Sequence, residues 1–251
     1  FNATPDDRYQ RNITEEGDNS DVYLLEVASG KIERLTNNVD VSESALSFSP
    51  DGQSIAFTAA DDYKFMHLNK LYVRPVAGGQ WRKLGKEWDG DVSIGWWSDD
   101  SKTIYFLALD TVATDEQKRR AARFGVDIRN MATPRVHLWS LDIATKAEKR
   151  LTSDAAYSVT RVTLSDDGKW VGFNATPDDR YQRNITEEGD NSDVYLMEVS
   201  SGKIERLTNN QDVSESALSF SPDGQSIAFT AADDYKFMHL NKLYVRPVAG
   251  G

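Results

Sequence analysis

The sequence of 251 residues contains no cysteine and three histidines, His67, His137 and His239. Without cysteine there are no disulfide bonds, no thiolate nucleophile and no cysteine-ligated metal. The histidines lack the H-x-H and H-E-x-x-H spacings of a metal site, and His137, at the start of a predicted strand, is interpreted as structural. We therefore predict no metal, no cofactor and no catalytic residue in this chain. The compartment stays open between cytoplasm and periplasm.

Positive charge and long apolar runs are also scarce. The chain has 29 Lys and Arg against 40 Asp and Glu, which gives a formal net charge of −11. A field of this sign argues against nucleic acids and anionic membranes as partners. No apolar run reaches about 18 residues and no charged leader opens the sequence, so we expect neither a membrane span nor a signal peptide.

What the sequence does contain is a hairpin signature, first seen over residues 45–59. Apolar residues alternate with small or polar ones on both sides of the segment 49–52, which is the period of a strand with one buried face. Pro50 presets φ for the turn, Asp51 hydrogen-bonds its own backbone, and Gly52 takes the positive φ that closes the hairpin. The same pattern returns over residues 93–106, 162–173 and 217–231.

A second type of hairpin alternates with the first. It occupies residues 21–36, 70–84, 137–152 and 194–208, and its last occurrence begins at 242 and stops at its turn. A unit of hairpin, loop and hairpin predicts a four-stranded antiparallel sheet, and a row of such sheets is typical of a β-propeller. The sequence therefore predicts an all-β fold, a β-propeller built of four-stranded antiparallel blades with one short helical insertion.

The sequence also contains a second repeat that is much longer than a hairpin. Residues 1–79 and 173–251 align at an offset of 172 with three differences, Leu25 against Met197, Ala28 against Ser200 and Val39 against Gln211. Blades of one propeller normally diverge, as those within a single 172-residue period do. The near identity indicates a recent duplication, an engineered one, or an overlap introduced when the chain was assembled, and these alternatives stay open.

We predict a single propeller domain over residues 1–251. Its expected parts are a partial blade at 1–40, blades at 42–87, 91–153 and 158–210, and a partial blade at 214–251. A propeller normally removes unpaired edges by closing its ring with strands from both termini. Two closures are open, one within the chain that gives four blades and one between two copies that gives eight. We favour the homodimer.

Long connections between the second and third strands of each blade are expected to emerge on one face of the disc. They cover residues 5–20, 61–69, 110–135, 177–192 and 233–241. The longest one contains a predicted short helix, because Thr114 suits an N-cap and Gly125 suits the end of a helix. Loops elaborated on a rigid scaffold commonly carry binding, so we place the binding surface there.

Aromatic and charged side chains mix in these loops, which suits contact with a peptide, although loop aromatics also pack on their own blade. The basic helix residues would dock an acidic partner or a neighbouring domain, or face solvent. The pair Glu15-Glu16 would hold a cation or a substrate amine, or belong to an acidic turn. The candidate binding residues are Tyr9, Arg11, Glu15, Glu16, Tyr63, Phe65, His67, Arg119, Arg123, Tyr181, Arg183, Tyr235 and Phe237.

The Ser-Pro-Asp-Gly hairpin at 46–57, a Leu-Tyr-Val third strand and the closing Arg-Leu-Thr at 150–152 resemble the blades of TolB-type propellers. The same blades form the N-terminal propeller of prolyl oligopeptidase-family serine peptidases and the propellers of tricorn protease. The degenerate turns at 98–101 and 165–168 and the long insertions are more similar to the peptidase propellers. The resemblance implies a propeller that caps an α/β-hydrolase domain, restricts access to large substrates and leaves catalysis to that domain, which has no counterpart here.

This resemblance predicts a non-catalytic propeller that acts in substrate gating and in docking to a domain or subunit. Its partners would be peptides or proteins. The alternative is a TolB-like protein-binding module. A third reading, an enzyme in its own right, finds carboxylates and arginines in the sequence but no set of nucleophile, base or metal ligands.

Overall fold

The computed structural model of the protein describes residues 2–3, 20–37, 43–60, 69–84, 92–110, 118, 122, 135–152, 157–176, 192–209, 213–232 and 240–249. Their strands are β1 (Asn2–Ala3), β2 (Asp21–Glu26), β3 (Lys31–Arg34), β4 (Glu43–Phe48), β5 (Ser54–Ala60), β6 (Asn69–Pro75), β7 (Arg82–Leu84), β8 (Val92–Trp97), β9 (Thr103–Leu109), β10 (Val136–Asp142), β11 (Glu148–Arg150), β12 (Ser158–Leu164), β13 (Trp170–Thr176), β14 (Asp193–Glu198), β15 (Ile204–Arg206), β16 (Glu215–Phe220), β17 (Ser226–Ala232) and β18 (Asn241–Pro247).

These strands form antiparallel meanders in which neighbours in the chain are neighbours in the sheet. Three sheets have four strands, β4–β7, β8–β11 and β12–β15. The strands β1–β3 and β16–β18 form three-stranded sheets within the described residues. The predicted all-β architecture of four-stranded antiparallel sheets is confirmed.

In four of the five sheets the turn that joins the first two strands is described, and it closes as its sequence predicts. In the first such turn, the Ser49 hydroxyl donates to Asp51 Oδ1 at 2.5 Å and the Gln53 N–H donates to the same atom at 2.9 Å. Gly52 has a φ of +67°, where a side chain would be strained. The corresponding turns use Ser98 with Asp100, Ser165 with Asp167 and Ser221 with Asp223. In the turn at 98–101, which has Ser101 where Gly52 stands in the first turn, Ser101 takes the left-handed position at φ 60°.

The first strand of four sheets contains an irregularity in its register. The pairing shifts between Ser44 and Ser47, Ile94 and Trp96, Val159 and Arg161, and Ser216 and Ser219. Ala45 and Ala217, inside two of these shifts, have φ values of 50° and 53°. Such bulges redirect side chains, and one of them lies beside the cleft described below.

The chain divides into two compact units, residues 1–108 with 141–148 and residues 109–140 with 149–251. The first unit contains an apolar cluster of Val22, Ile55, Phe57 and Ala59, with Trp81 packed against it. The second unit contains an apolar cluster of Val194, Leu196, Ile227, Phe229 and Val248. These positions face the cluster because strand side chains alternate between faces.

The predicted helical insertion lies almost wholly outside the described residues. Within its described part, the Ala122 N–H donates to the Lys118 carbonyl at 3.0 Å, which is the bond of one α-helical turn. The remainder of the helix stays a prediction. No helix in the described part of the chain has the length and hydropathy to cross a membrane.

Candidate functional site

The thirteen candidate binding residues predicted from the sequence all lie outside the described residues. They are Tyr9, Arg11, Glu15, Glu16, Tyr63, Phe65, His67, Arg119, Arg123, Tyr181, Arg183, Tyr235 and Phe237. Their role in binding stays a prediction. The residues that border the loops are described, however, and they form a polar cleft in the second unit.

This polar cleft has a volume of about 220 Å³. Thr160 and Arg161 reach it from the bulge of β12, Asn174 from β13, and Ser192 from the position before β14. The segment 214–216, at the start of β16, completes the lining. Arg161 is exposed, whereas Asn174 is fully buried, so the cleft has a charged rim and a buried polar floor.

Hydrogen bonds converge on one backbone carbonyl at the floor of the cleft. Asn174 Nδ2 donates to the Glu215 carbonyl at 3.0 Å, and the Ser192 hydroxyl donates to it at 2.6 Å. The Glu215 N–H in turn donates to the Ser192 carbonyl at 2.8 Å. Ser192 also lies 3.0 Å from the Ser214 hydroxyl. These bonds hold the floor of the cleft in one geometry before any ligand arrives.

One hydrogen-bond acceptor in the floor of the cleft is unsatisfied within the described residues. Asn174 Oδ1 is buried and has no hydrogen-bond partner among the described residues. A buried amide oxygen costs free energy unless a donor reaches it, so a ligand that presents an N–H or O–H gains by binding here. Asn174 interrupts the apolar run from Trp170 to Ala175 in β13, and this is the sequence signal that could have identified the cleft.

The cleft lies at the base of a predicted binding loop. Thr176 ends β13 and Ser192 precedes β14, so both ends of the connecting segment 177–191 are close to the cleft in sequence. Tyr181 and Arg183 belong to that segment, and their positions are outside the described residues. The sequence prediction named residues of the segment that joins β13 and β14, whose role stays a prediction, and missed the short polar residues of the cleft itself.

The cleft is equipped for binding. Its lining offers hydroxyls, one amide, one guanidinium and one carboxylate, and none of its lining residues is a histidine. No group of three or more His, Asp or Glu residues in the described part of the chain is placed to hold a metal ion. The arrangement can accept and donate hydrogen bonds and pair with a ligand carboxylate through Arg161.

A second polar arrangement, which we call the clasp, recurs at the start of β10 and β14, the third strands of their sheets, and at the start of β2, whose sequence matches β14 at all positions but one. In the second unit, Arg206 donates to Asp193 at 2.5 Å, and the Thr208 hydroxyl accepts the Val194 N–H at 2.8 Å. In the first unit, Arg34 pairs with Asp21 and the Thr36 hydroxyl accepts the Val22 N–H at 2.9 Å. The closing Arg-Leu-Thr of the sequence therefore ties the fourth strand to the start of the third.

His137 takes the position of the aspartate in a third copy of the clasp. Its Nδ1 lies 3.0 Å from the Thr152 hydroxyl, and its Nε2 lies 3.2 Å from Asp110 and 2.6 Å from Arg150. Arg150 also pairs with Asp110 at 3.0 Å. Burial lowers the pKa of His137; Arg150 adds to this, and Asp110 opposes it.

The three residues Thr152, His137 and Asp110 have the order of a catalytic triad, but their environment is that of a structural clasp. Thr152 and His137 are fully buried, and the Thr152 hydroxyl already accepts the Leu138 N–H at 3.0 Å. A nucleophile needs access to its substrate, which this hydroxyl lacks. The geometry agrees with the structural interpretation of His137.

No family model matches the chain. Among curated proteins, it is 33% identical over 99 residues to Dipeptidyl-peptidase 5 of Porphyromonas gingivalis, a match that covers 39% of this chain and 14% of that protein. It is 42% identical over 79 residues to the Tol-Pal system protein TolB of Francisella tularensis subsp. holarctica, a match that covers 30% of this chain and 18% of TolB. The matched part is thus a small fraction of each relative.

Solved structures show the same fold over nearly the whole chain. A prolyl endopeptidase aligns with a TM-score of 0.61 at 17% identity, over 92% of this chain and 31% of that one. An oligogalacturonate lyase gives 0.58 at 14% identity, over 90% and 53%. The β-propeller domain of the Trilobed protease from Pyrococcus furiosus gives 0.54 at 16% identity, over 91% and 61%. The predicted β-propeller fold is confirmed.

Proposed function

We propose that this chain is a non-catalytic β-propeller of a prolyl oligopeptidase-like serine peptidase. In this role it selects the substrates that reach a separate hydrolase domain and docks to that domain or to another subunit. The similarity to a dipeptidyl-peptidase and to a prolyl endopeptidase supports the peptidase setting. The observation that carries the proposal is the polar cleft, whose groups can bind a peptide and whose serines lie against no histidine in its lining.

The cleft suits one end of a peptide. Its volume of about 220 Å³ is smaller than the roughly 300–1,000 Å³ of pockets that enclose drug-sized ligands. Asn174 Oδ1 would accept a peptide N–H, and Arg161 would pair with a carboxylate at the rim. A peptide held in this way is positioned without being cleaved, which is what a gating surface requires.

A cleavage assay that separates substrates by size tests this function. The chain alone should cleave neither a short chromogenic peptide nor a folded protein. Added to the α/β-hydrolase domain of a prolyl oligopeptidase-family peptidase, it should leave cleavage of the short peptide intact and suppress cleavage of the folded protein. Turnover by the isolated chain, or equal effects on both substrates, would contradict the proposal.

Replacing the rim arginine tests the role of the cleft. Arg161→Ala should weaken the binding of a short peptide with a free carboxylate by about ten- to one-hundred-fold, because a hydrogen bond to a charged group contributes roughly 1.5–3 kcal/mol. Lys203→Ala removes an exposed cation elsewhere in the same unit and serves as the matched control. Isothermal titration calorimetry measures both, and equal affinities for the two variants would exclude the cleft.

The match to TolB favours a second candidate, a propeller that binds a protein partner outside any peptidase. In that case the chain would capture a folded protein and would leave peptide cleavage by a hydrolase domain unchanged for substrates of every size. The size-dependent assay therefore distinguishes the two functions.

We also propose that residues 1–251 form a single propeller and that two copies close one ring. The β-propeller domain that aligns over 91% of this chain supports an arrangement of the sheets in a ring. Multi-angle light scattering should give twice the chain mass of 28.1 kDa. A monomer mass would exclude the closure between copies.

A further inference from the structure

The fifth residue of the second strand differs between the sheets in a way that bears on the cleft. In β5 this residue is Thr58, and its hydroxyl lies 2.9 Å from that of Ser44 on β4. The corresponding serine and threonine of β16 and β17 lie 3.0 Å apart in the same way. In β13 the fifth residue is Asn174, and the strand register places Arg161 of β12 opposite to it.

The side chains of Arg161 and Asn174 do not satisfy each other. Asn174 Oδ1 is buried and has no partner among the described residues, and none of the ion pairs between described residues involves Arg161. Successive residues of a regular strand alternate between faces, but Thr160 and Arg161 are both exposed and both line the cleft, because the bulge of β12 lies at this point. A cation at the rim and an acceptor at the floor are therefore both open to a ligand.

The accessible charge of the cleft is positive. Glu215, the other charged residue of the lining, is 1% exposed and has contacts within the protein, whereas Arg161 is exposed. A ligand amine would be repelled by the guanidinium, whereas a carboxylate can form two parallel charge-assisted hydrogen bonds with it. The group that binds at the rim is thus an anion, and the group that binds at the floor is a hydrogen-bond donor.

The ligand must carry this anion and this donor close together. Residues directly opposite in an antiparallel pair project from the same face, with Cβ atoms about 4.5–5.5 Å apart. In the last residue of a peptide, the amide nitrogen and the carboxylate carbon are bonded to the same Cα and lie about 2.5 Å apart. An internal residue has the N–H without the α-carboxylate, and the amino terminus has an ammonium instead.

We propose that the cleft binds the free carboxyl terminus of a peptide. The α-carboxylate of the last residue pairs with Arg161, and the N–H of the same residue donates to Asn174 Oδ1. The choice of this end rests on the proposed function, in which the cleft holds one end of a peptide. The cleft has a volume of about 220 Å³, so the rest of the peptide extends away from it. Cyclic peptides and peptides that end in a carboxamide are not ligands of this site.

Four probes titrated into the full chain by isothermal titration calorimetry test the proposal. The reference probe is N-acetyl-tetra-alanine with a free carboxylate. A carboxamide in place of the carboxylate should weaken binding by about ten-fold or more, because the charge-assisted bonds to Arg161 are lost. An ester oxygen in place of the last N–H should weaken binding by about five-fold or more, because Asn174 Oδ1 then stays unsatisfied. The fourth probe ends in an aspartate carboxamide, which has a carboxylate on its side chain alone, and should bind as weakly as the carboxamide probe.

The results separate this proposal from the proposed function. Equal binding of the carboxylate and carboxamide probes would overturn the choice of the carboxyl terminus and leave a cleft that binds peptides. Equal binding of the reference and ester probes would show that Asn174 takes its donor from water, which would also overturn the proposal. An aspartate probe that binds as well as the reference would assign the site to internal acidic side chains and overturn it. If no probe binds, the proposed function of the cleft itself is contradicted.

Charge placed at two exposed positions locates the binding. Thr160→Glu puts a carboxylate beside Arg161 in the lining and should weaken binding of the reference probe by about ten-fold or more, with little effect on the carboxamide probe. Ser219→Glu adds the same charge at an exposed position of β16 outside the lining and is the matched control. Circular dichroism verifies that both variants keep the fold. Equal affinity of the two variants for the reference probe would refute the cleft as the site.

Discussion

In each clasp a threonine hydroxyl accepts a backbone N–H of a neighbouring strand. The three copies share this geometry, but the exchange of one residue gives the third copy a different chemistry. In two copies an aspartate pairs with the arginine of the fourth strand, at Asp21 and Asp193. In the third copy His137 replaces the aspartate, and Asp110 supplies the carboxylate from the end of β9. The exchange puts an imidazole, whose ordinary pKa is 6.5, in the place of a carboxylate.

His137 should therefore make stability depend on pH. The pKa of His137 is lowered in the folded chain, chiefly by burial, so below its ordinary value of 6.5 the unfolded chain binds a proton that the folded chain does not. The free energy of unfolding should fall as the pH drops below 6.5, by up to about 1.4 kcal/mol per pH unit, until the folded pKa is reached. Urea unfolding at pH 7.5 and at pH 5.5 measures this loss.

The control for this prediction is His137→Asn, in which the other titrating groups are unchanged. This variant should be less stable at both pH values but should lose less stability between them than the unmodified chain does. Carboxylates of the hairpin turns do not mask the effect, because hydroxyl and backbone hydrogen bonds lower the pKa values of Asp51, Asp100 and Asp223. The Lys169 ammonium, together with the Ser165 hydroxyl, lowers the pKa of Asp167 to about 2. An identical pH slope in both proteins would refute the role of His137.

At the scale of elements, glycine lets two layers of the second unit pack closely. A Cβ added to Gly172 of β13 would lie 2.8 Å from Leu218 Cδ2 and 2.9 Å from Ile227 Cδ1. Both side chains belong to the apolar cluster of that unit or pack against it. The glycine therefore sets how near β13 approaches β16 and β17.

Gly172→Ala should destabilise the chain by about 1–3 kcal/mol, since overpacking forces neighbouring side chains out of their preferred positions. Urea unfolding measures the change in the free energy of unfolding. Ser219→Ala, at an exposed position of β16, is the control and should stay within roughly 0.5 kcal/mol of the unmodified chain. A stable Gly172→Ala variant would show that these side chains can move aside at little cost.

Hairpins were predictable from the sequence because their determinants are local. The alternation of apolar and polar residues on both sides of the segment 49–52 predicted β4 and β5. In the turn between them, Asp51 accepts a backbone N–H and Gly52 takes a positive φ, as predicted. The cleft was not predictable in this way, because Asn174 and Glu215 come together across 41 positions of sequence. The bulges were also missed, since Ala45 and Ala217 take a left-handed φ that alanine does not favour locally.

At the scale of the whole molecule, the two copies of the repeated sequence show how one sequence behaves in two environments. They share nearly all their residues, yet β6 and β18, which have the same sequence, differ in burial. The residues of a strand therefore do not fix its burial by themselves, because the segments packed on the strand contribute. The net charge of −11 also belongs to this scale, since it acts on any charged ligand that approaches the chain.

This charge predicts how salt changes peptide binding. A short basic peptide with a free carboxylate should be attracted by the acidic chain over a distance, which raises its association rate. Raising the ionic strength from about 0.01 M to about 0.15 M shortens the screening length from roughly 30 Å to 8 Å and should slow this association several-fold. Dissociation should change little with salt, because the hydrogen bonds of the cleft act at short range, and a neutral peptide of the same length should show little salt dependence in either rate. Stopped-flow anisotropy separates the two rates. A salt effect confined to dissociation would contradict the attribution of the long-range term to the net charge.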